Sequence, residues 1–181
     1  IRHILHSPEL DLNHQDTDGN NILFHALGSW RWKEYSRELI SKGCAVNHVN
    51  NYGDTPLTLV LNPNISLSYS GYQMCTNFAN LFDVPTDRSA KVAMLLEAGA
   101  NPNVNGIQNK SPLQMTLERH RKHTRTADMV ELIKYGADLS RPVKHKHVIV
   151  SVCRSGLLKA AGVMVLADVQ LAHHVTKRQL S

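Results

Sequence analysis

The stretch Gly53-Asp54-Thr55-Pro56-Leu57-Thr58-Leu59-Val60 and its sequel Leu95-Leu96-Glu97-Ala98-Gly99-Ala100-Asn101-Pro102-Asn103 decide how this chain is read. In the first, a threonine hydroxyl stands before a proline. That pair caps a helix and then fills its first position, where no N–H is needed. The second follows apolar residues at helical spacing (Val92, Leu95, Leu96) with a glycine, which reads as the left-handed residue that ends a helix. One stretch opens a helix and the other closes one.

Both halves recur. Closing segments of the same kind stand at Lys42-Gly43-Cys44-Ala45-Val46-Asn47 and Tyr135-Gly136-Ala137-Asp138-Leu139-Ser140, and Leu10-Asp11-Leu12-Asn13 is a version without its glycine. Further opening segments are Gly19-Asn20-Asn21-Ile22-Leu23 and Asn109-Lys110-Ser111-Pro112-Leu113. Gly43 to Leu57 and Gly99 to Leu113 are each 14 residues, and Gly136 plus 14 reaches Val150. Within a unit the length varies: 20 residues from Leu23 to Gly43, 42 from Leu57 to Gly99, and 23 from Leu113 to Gly136. A fixed connector with a variable interior marks a repeated helix-loop-helix unit. Gly19 and Gly53 suit positive φ, and Asn109 is the best non-glycine substitute at the same place. At Asn21-Ile22 the Thr-Pro pair is missing, so that unit's first helix is expected to lose both the preferred cap and the preferred first residue. Leu23 and Ala26 keep its packing positions.

The pattern resembles the ankyrin repeat. The resemblance implies an all-α solenoid of helix-loop-helix units joined by β-hairpin-like connectors, covering most of the chain as one domain. Its parts are a partial repeat at 1–15, full repeats at 16–49, 50–105 and 106–142, and a degenerate or capping repeat at 143–181. The second full repeat carries a long insertion, 62–87, between its helices. Loop formers there mix with Tyr69, Tyr72, Met74, Phe78, Leu81 and Phe82, which suits either packing on the array's own flank or binding a partner. The chain opens at Ile1 inside what reads as a helix, so a fragment of a longer protein, monomeric by itself, is expected.

Composition narrows the class. Hydrophobic residues make up 42% of the 181 and aromatics only 6%, which excludes a disordered chain and favours helices packed through small residues. No run approaches the roughly 18 apolar residues that a membrane span needs. Three widely spaced cysteines, an odd number, read as reduced thiols and point to an intracellular, cytoplasmic or nuclear, setting. The net charge of +5 is moderate for this length and argues against a purely electrostatic nucleic-acid binder.

Eleven histidines raise the question of metal. The paired ones, His120 with His123 and His145 with His147, stand among cations that oppose a bound dication, so no metal or other cofactor is expected. Neither an activated nucleophile nor a glycine-rich phosphate loop is present, so no enzyme is expected. The resemblance makes His25 a hydrogen-bonding structural residue. Ile149-Val150-Ser151-Val152-Cys153-Arg154 is faintly similar to an element that couples some ankyrin proteins to ubiquitin-ligase adaptors, although its leucines are replaced; the alternative it raises is a substrate-recruiting subunit of a ubiquitin ligase.

The function the resemblance implies is protein binding through a concave face and the connector tips. Carried over by position, the tip residues are Thr17, Asp18 and Asn20; Asn51, Tyr52 and Asp54; Ile107, Gln108 and Lys110; and Lys144 and His145. Gly28, Ser29, Asn62, Glu118 and Arg119 end the inner helices. Tyr52 is the first candidate anchor, because a tip aromatic offers much contact area at small entropy cost. Trp30 and Trp32 come second. A different class of partner, nucleic acid or anionic lipid, is implied by the basic cluster Arg119, Arg121, Lys122, Arg125, Arg141, Lys144 and Lys146. Against nucleic acid, no aromatic residues interleave with these cations to stack on bases.

Overall fold

The computed structural model describes residues 11–29, 31–62, 85–106, 109–118 and 122–140, and residue 162; for 85–87, 118 and 122–125 only the backbone is described. Among these residues the chain is all-α. Its helices are α1 (Ile22–Leu27), α2 (Trp32–Ser41), α3 (Pro56–Leu61), α4 (Pro85–Glu97), α5 (Pro112–Glu118) and α6 (Lys122–Lys134), with no strand. A proline opens α4 at 85, within the expected insertion 62–87.

Polar side chains start the first helix of each pair. Thr55 Oγ1 accepts from the Thr58 amide at 3.2 Å while Thr58 Oγ1 accepts from the Thr55 amide at 2.8 Å, a reciprocal capping box. Ser111 and Gln114 do the same ahead of α5, at 3.3 and 2.8 Å. At α1 the expected loss of a cap is corrected. Asn21 Oδ1 accepts from the Leu23 amide at 3.1 Å, and asparagine ranks with serine and aspartate as an N-cap. Only the proline is missing there. Asn21 Nδ2 also donates to Ala45 O at 3.0 Å, fastening α1 to the connector that follows α2.

The helices pack in pairs, α1 on α2, α3 on α4 and α5 on α6; across pairs, α1 packs on α3, α3 on α5 and α4 on α6. The shared core takes Leu23, Ala26 and Leu27 from α1, Leu57, Val60 and Leu61 from α3, and Leu113 and Leu117 from α5. The longer helices add Leu39, Val92, Leu95, Leu96, Met129, Leu132 and Ile133. These positions follow the i, i+3, i+4 rule, and burying each large side chain contributes about 1.5–3 kcal/mol. Trp32 belongs to this core at 6% exposure, with Lys91 Nζ 5.1 Å above its ring. That placement removes Trp32 from the candidate surface.

Two further links tie neighbouring pairs. Between α4 and α6, Asp128 accepts from Arg88 Nε at 3.0 Å and from Ser89 Oγ at 2.6 Å, with Arg88 and Asp128 both buried. Along the closing segments, asparagines bridge to the next segment. Asn13 Oδ1 accepts from the Ala45 amide at 3.1 Å. Asn47 Oδ1 accepts from the Asn101 amide at 2.7 Å while its Nδ2 donates to Gly99 O at 2.9 Å. Asn103 repeats this with the Asp138 amide and Gly136 O, at 2.7 and 2.9 Å. Cys44 is a buried free thiol that donates to Leu12 O at 3.4 Å, and burial pushes its pKa up.

Candidate functional site

The candidate site begins with three turns, 16–20, 50–54 and a third, 106–110, of which Gly106, Asn109 and Lys110 are described. In each, the first amide donates to the carbonyl of the fifth residue, at 3.0, 3.0 and 2.9 Å. The fourth amide donates back to the first carbonyl, at 2.9, 3.0 and 3.0 Å. The fourth residue has positive φ: Gly19 at 77°, Gly53 at 83° and Asn109 at 56°, as the sequence leads one to expect. A turn followed by one left-handed residue is a standard way to reverse a hairpin, here without flanking strands among the described residues. The closing glycines Gly43, Gly99 and Gly136 also take positive φ, the conformation of a helix-ending residue.

The first residue of the turn organises it from within. Asp16 Oδ1 accepts from the amides of Asp18 and Asn20, each at 2.9 Å; Asn50 Oδ1 accepts from those of Tyr52 and Asp54, at 3.0 and 2.9 Å. Asp16 further receives Asn20 Nδ2 and, at 2.9 Å, His25 Nε2 from α1. A carboxylate oxygen accepts, so Nε2 carries the proton in that pair. Burial pushes the Asp16 pKa up, but the hydrogen bonds from Asn20, Asp18 and His25 together outweigh it and hold the carboxyl below its ordinary value.

At the first junction, where turn 50–54 meets turn 16–20, polar groups interlock. The Asn51 amide donates to Asp18 O at 3.0 Å, Asn51 Nδ2 to Thr17 O at 3.1 Å, and Asn50 Nδ2 to Asn20 Oδ1 at 2.8 Å. His48 Nε2 donates to Gly19 O at 2.7 Å, and its ring meets Phe24 edge-on at 6.2 Å. Gly19 is doubly required, since a Cβ there would collide with Asn51 as well as oppose the positive φ. Tyr52 Oη donates to Asp18 Oδ1 at 2.9 Å, and its ring covers Phe24 and Leu59, a small apolar cluster separate from the main core. The bond to Asp18, then burial and the charges of Asp18 and Asp16, push the Tyr52 pKa up.

At the second junction, where turn 106–110 meets turn 50–54, the described residues meet through a lack of bulk at Gly106. Gly106 stands where Asp16 and Asn50 stand in the other turns, and a Cβ on it would collide with Asp54 Oδ1, Thr58 Cβ and Met115 Cε. Asp54 is fully buried and accepts from Thr58 Oγ1 at 3.0 Å.

This geometry sorts the expected site residues. Thr17 and Asn51 are exposed at the tips, and Asp18 and Tyr52 are half-buried beside them, so the structure brings these four together. Asn20 and Asp54 are 2% and 0% exposed and act on the chain itself, which takes them off the outer surface. Lys110 is half-buried, and its carbonyl closes the third turn. Of the inner-helix ends, Gly28 and Asn62 are buried and Ser29 Oγ accepts from the Arg31 amide at 3.2 Å. Val49, half exposed next to the second turn, is an apolar surface residue that sequence reading passed over, since a lone valine in a connector carries no pattern. Trp30, Ile107, Gln108, Arg119, Arg121, Arg141, Lys144, His145 and Lys146, the side chains of Lys122 and Arg125, most of the insertion and all of the 143–181 unit but residue 162 lie outside the described residues. Among the described residues no three His, Cys, Asp or Glu side chains group as metal ligands, and no helix is long and apolar enough to cross a membrane.

No family model matches the chain, and no curated protein matches it either.

Proposed function

We propose that this chain is an ankyrin-like stack of helix-loop-helix repeats that does no chemistry of its own and holds a partner protein. The contact runs along the edge formed by its turn tips, with Thr17, Asp18, Asn51 and Tyr52 at the first junction and Val49 beside them. The observation that carries the reading is the interlocking of the first two turns. Recurring turns of one geometry, bonded tip to tip, present their outer residues already ordered, and an ordered surface loses less entropy when a partner docks. Tyr52 offers its hydroxyl and part of its ring, while Thr17, Asp18 and Asn51 supply polar contacts around it.

Thr17 makes the cleanest test, because its side chain is exposed and only its carbonyl takes part in the first junction. Affinity capture with the intact chain, at low and high ionic strength, should compare Thr17→Arg with Arg121→Glu. Capture that survives salt, fails with Thr17→Arg and persists with Arg121→Glu supports the turn edge. Steep salt dependence with loss only on Arg121→Glu would sink it in favour of a phosphate-directed adaptor using the basic cluster.

A further inference from the structure

We propose that Asn105-Gly106 is a deamidation site gated by the seating of the third turn, and that isoaspartate formed there holds that turn off the second helix pair. The proposal is independent of what the chain binds. Asparagine followed by glycine is the dipeptide in which the next amide is least hindered, since glycine has no side chain to block its approach. The Gly106 nitrogen attacks Asn105 Cγ, the Cγ–Nδ2 bond breaks and ammonia leaves. Water then opens the cyclic imide to aspartate or isoaspartate, so the net change is water in and ammonia out.

In the seated turn both reacting groups are engaged. The Gly106 amide, the nucleophile, donates to Lys110 O at 2.9 Å, and Asn105 Nδ2, the leaving group, donates to Asn109 Oδ1 at 2.7 Å. Gly106 itself is buried against Asp54, Thr58 and Met115, so turning its amide away from Lys110 O disturbs a packed backbone. Reaction therefore requires local opening of the turn.

The product cannot close as before. Isoaspartate routes the main chain through Cβ and Cγ, lengthening it by one methylene immediately ahead of Gly106, a residue packed so closely on Asp54, Thr58 and Met115 that it has little freedom to shift. A reversible opening is thereby converted into a lasting one.

The test is peptide mapping that separates aspartate from isoaspartate at position 105, on the whole chain incubated at mildly alkaline pH in native buffer and through a graded urea series. The native rate should be roughly tenfold or more below that in denaturing urea, since reaction waits on opening. Asn109→Gly keeps a residue suited to positive φ and removes the acceptor of the Asn105 amide. It should speed the native reaction several-fold and leave the denatured rate unchanged. Chains aged in urea and refolded should show faster amide hydrogen exchange over 106–113 than fresh ones, in proportion to their isoaspartate. Equal native and denatured rates, an unmoved native rate in Asn109→Gly, or unchanged exchange in aged chains would each overturn the proposal. If Asn109→Gly fails to fold, the urea series alone decides, through a rate that either tracks opening or does not.

Discussion

The two junctions between successive turns solve one problem by opposite means. At the first, Asn50 and Asn51 reach back with side-chain and main-chain donors to Thr17, Asp18 and Asn20. At the second, the residue equivalent to Asn50 is Gly106, which makes room for Asp54 instead of bonding through a side chain. The outer helices differ as well, for the second junction has the buried Arg88–Asp128 pair between α4 and α6. Among the described residues, the first junction is thus a mesh of many modest bonds, and the second turns on close packing at Gly106. Losses should be graded at the first junction and abrupt at the second.

The largest effect should come from Asp128→Ala. It leaves the Arg88 guanidinium buried without its carboxylate, and breaking a buried pair costs about 3–5 kcal/mol. Urea denaturation measures it, and the double variant Arg88→Met with Asp128→Leu should recover most of the loss, because Arg88 Nη2 has no hydrogen-bond partner even in the intact pair. Full additivity of the two single losses would show that the pair itself contributes little.

Next comes a direct contrast between the junctions. Gly106→Ala should cost about 1–3 kcal/mol by overpacking against Asp54, Thr58 and Met115. Asn50→Ala removes an acceptor of two amides and a donor to Asn20, a loss of about 1–2 kcal/mol when such groups are left unpaired. Hydrogen exchange should localise the first change around 106–113 and the second around 16–25. Spread of either change across both junctions would break the comparison.

The smallest expected effect is a pH dependence confined to the first turn. Hydrogen bonds hold the Asp16 carboxyl below its ordinary value, so folding favours its charged form. That contribution is complete above about pH 4, where the unfolded carboxyl is also ionised, and is lost as the pH falls through the folded pKa. Asp16→Asn should therefore be less stable than the parent at neutral pH and converge with it in acid. A difference that persists at low pH would assign the role of Asp16 to shape instead of charge.

Much of this was legible because it is local. The helix starts at Thr55-Pro56 and Ser111-Pro112, the positive φ of Gly19, Gly53 and Asn109, and the apolar spacing of Val92, Leu95 and Leu96 follow from rules that act within one turn of chain. The misreading at Asn21 has the same source. Comparison with Thr-Pro hid the fact that asparagine caps as well as serine does. Candidate site residues were legible only as positions. Asn20 and Thr17 stand three apart in the same turn, yet one faces inward and the other faces solvent, and nothing in their spacing separates them.

What the sequence by itself determined is the punctuation: where helices begin and end, where the chain reverses, and which apolar faces must be buried, because caps, φ preferences and periodicity are properties of neighbouring residues. What only the tertiary structure decided is which partner each polar side chain finds. Tyr52 meets Asp18 across 34 residues, Arg88 meets Asp128 across 40, and Asn47 meets the Asn101 amide across 54. Such bonds depend on how one helix pair settles against the next, and that settling is a sum over the packed core which no short stretch of sequence contains.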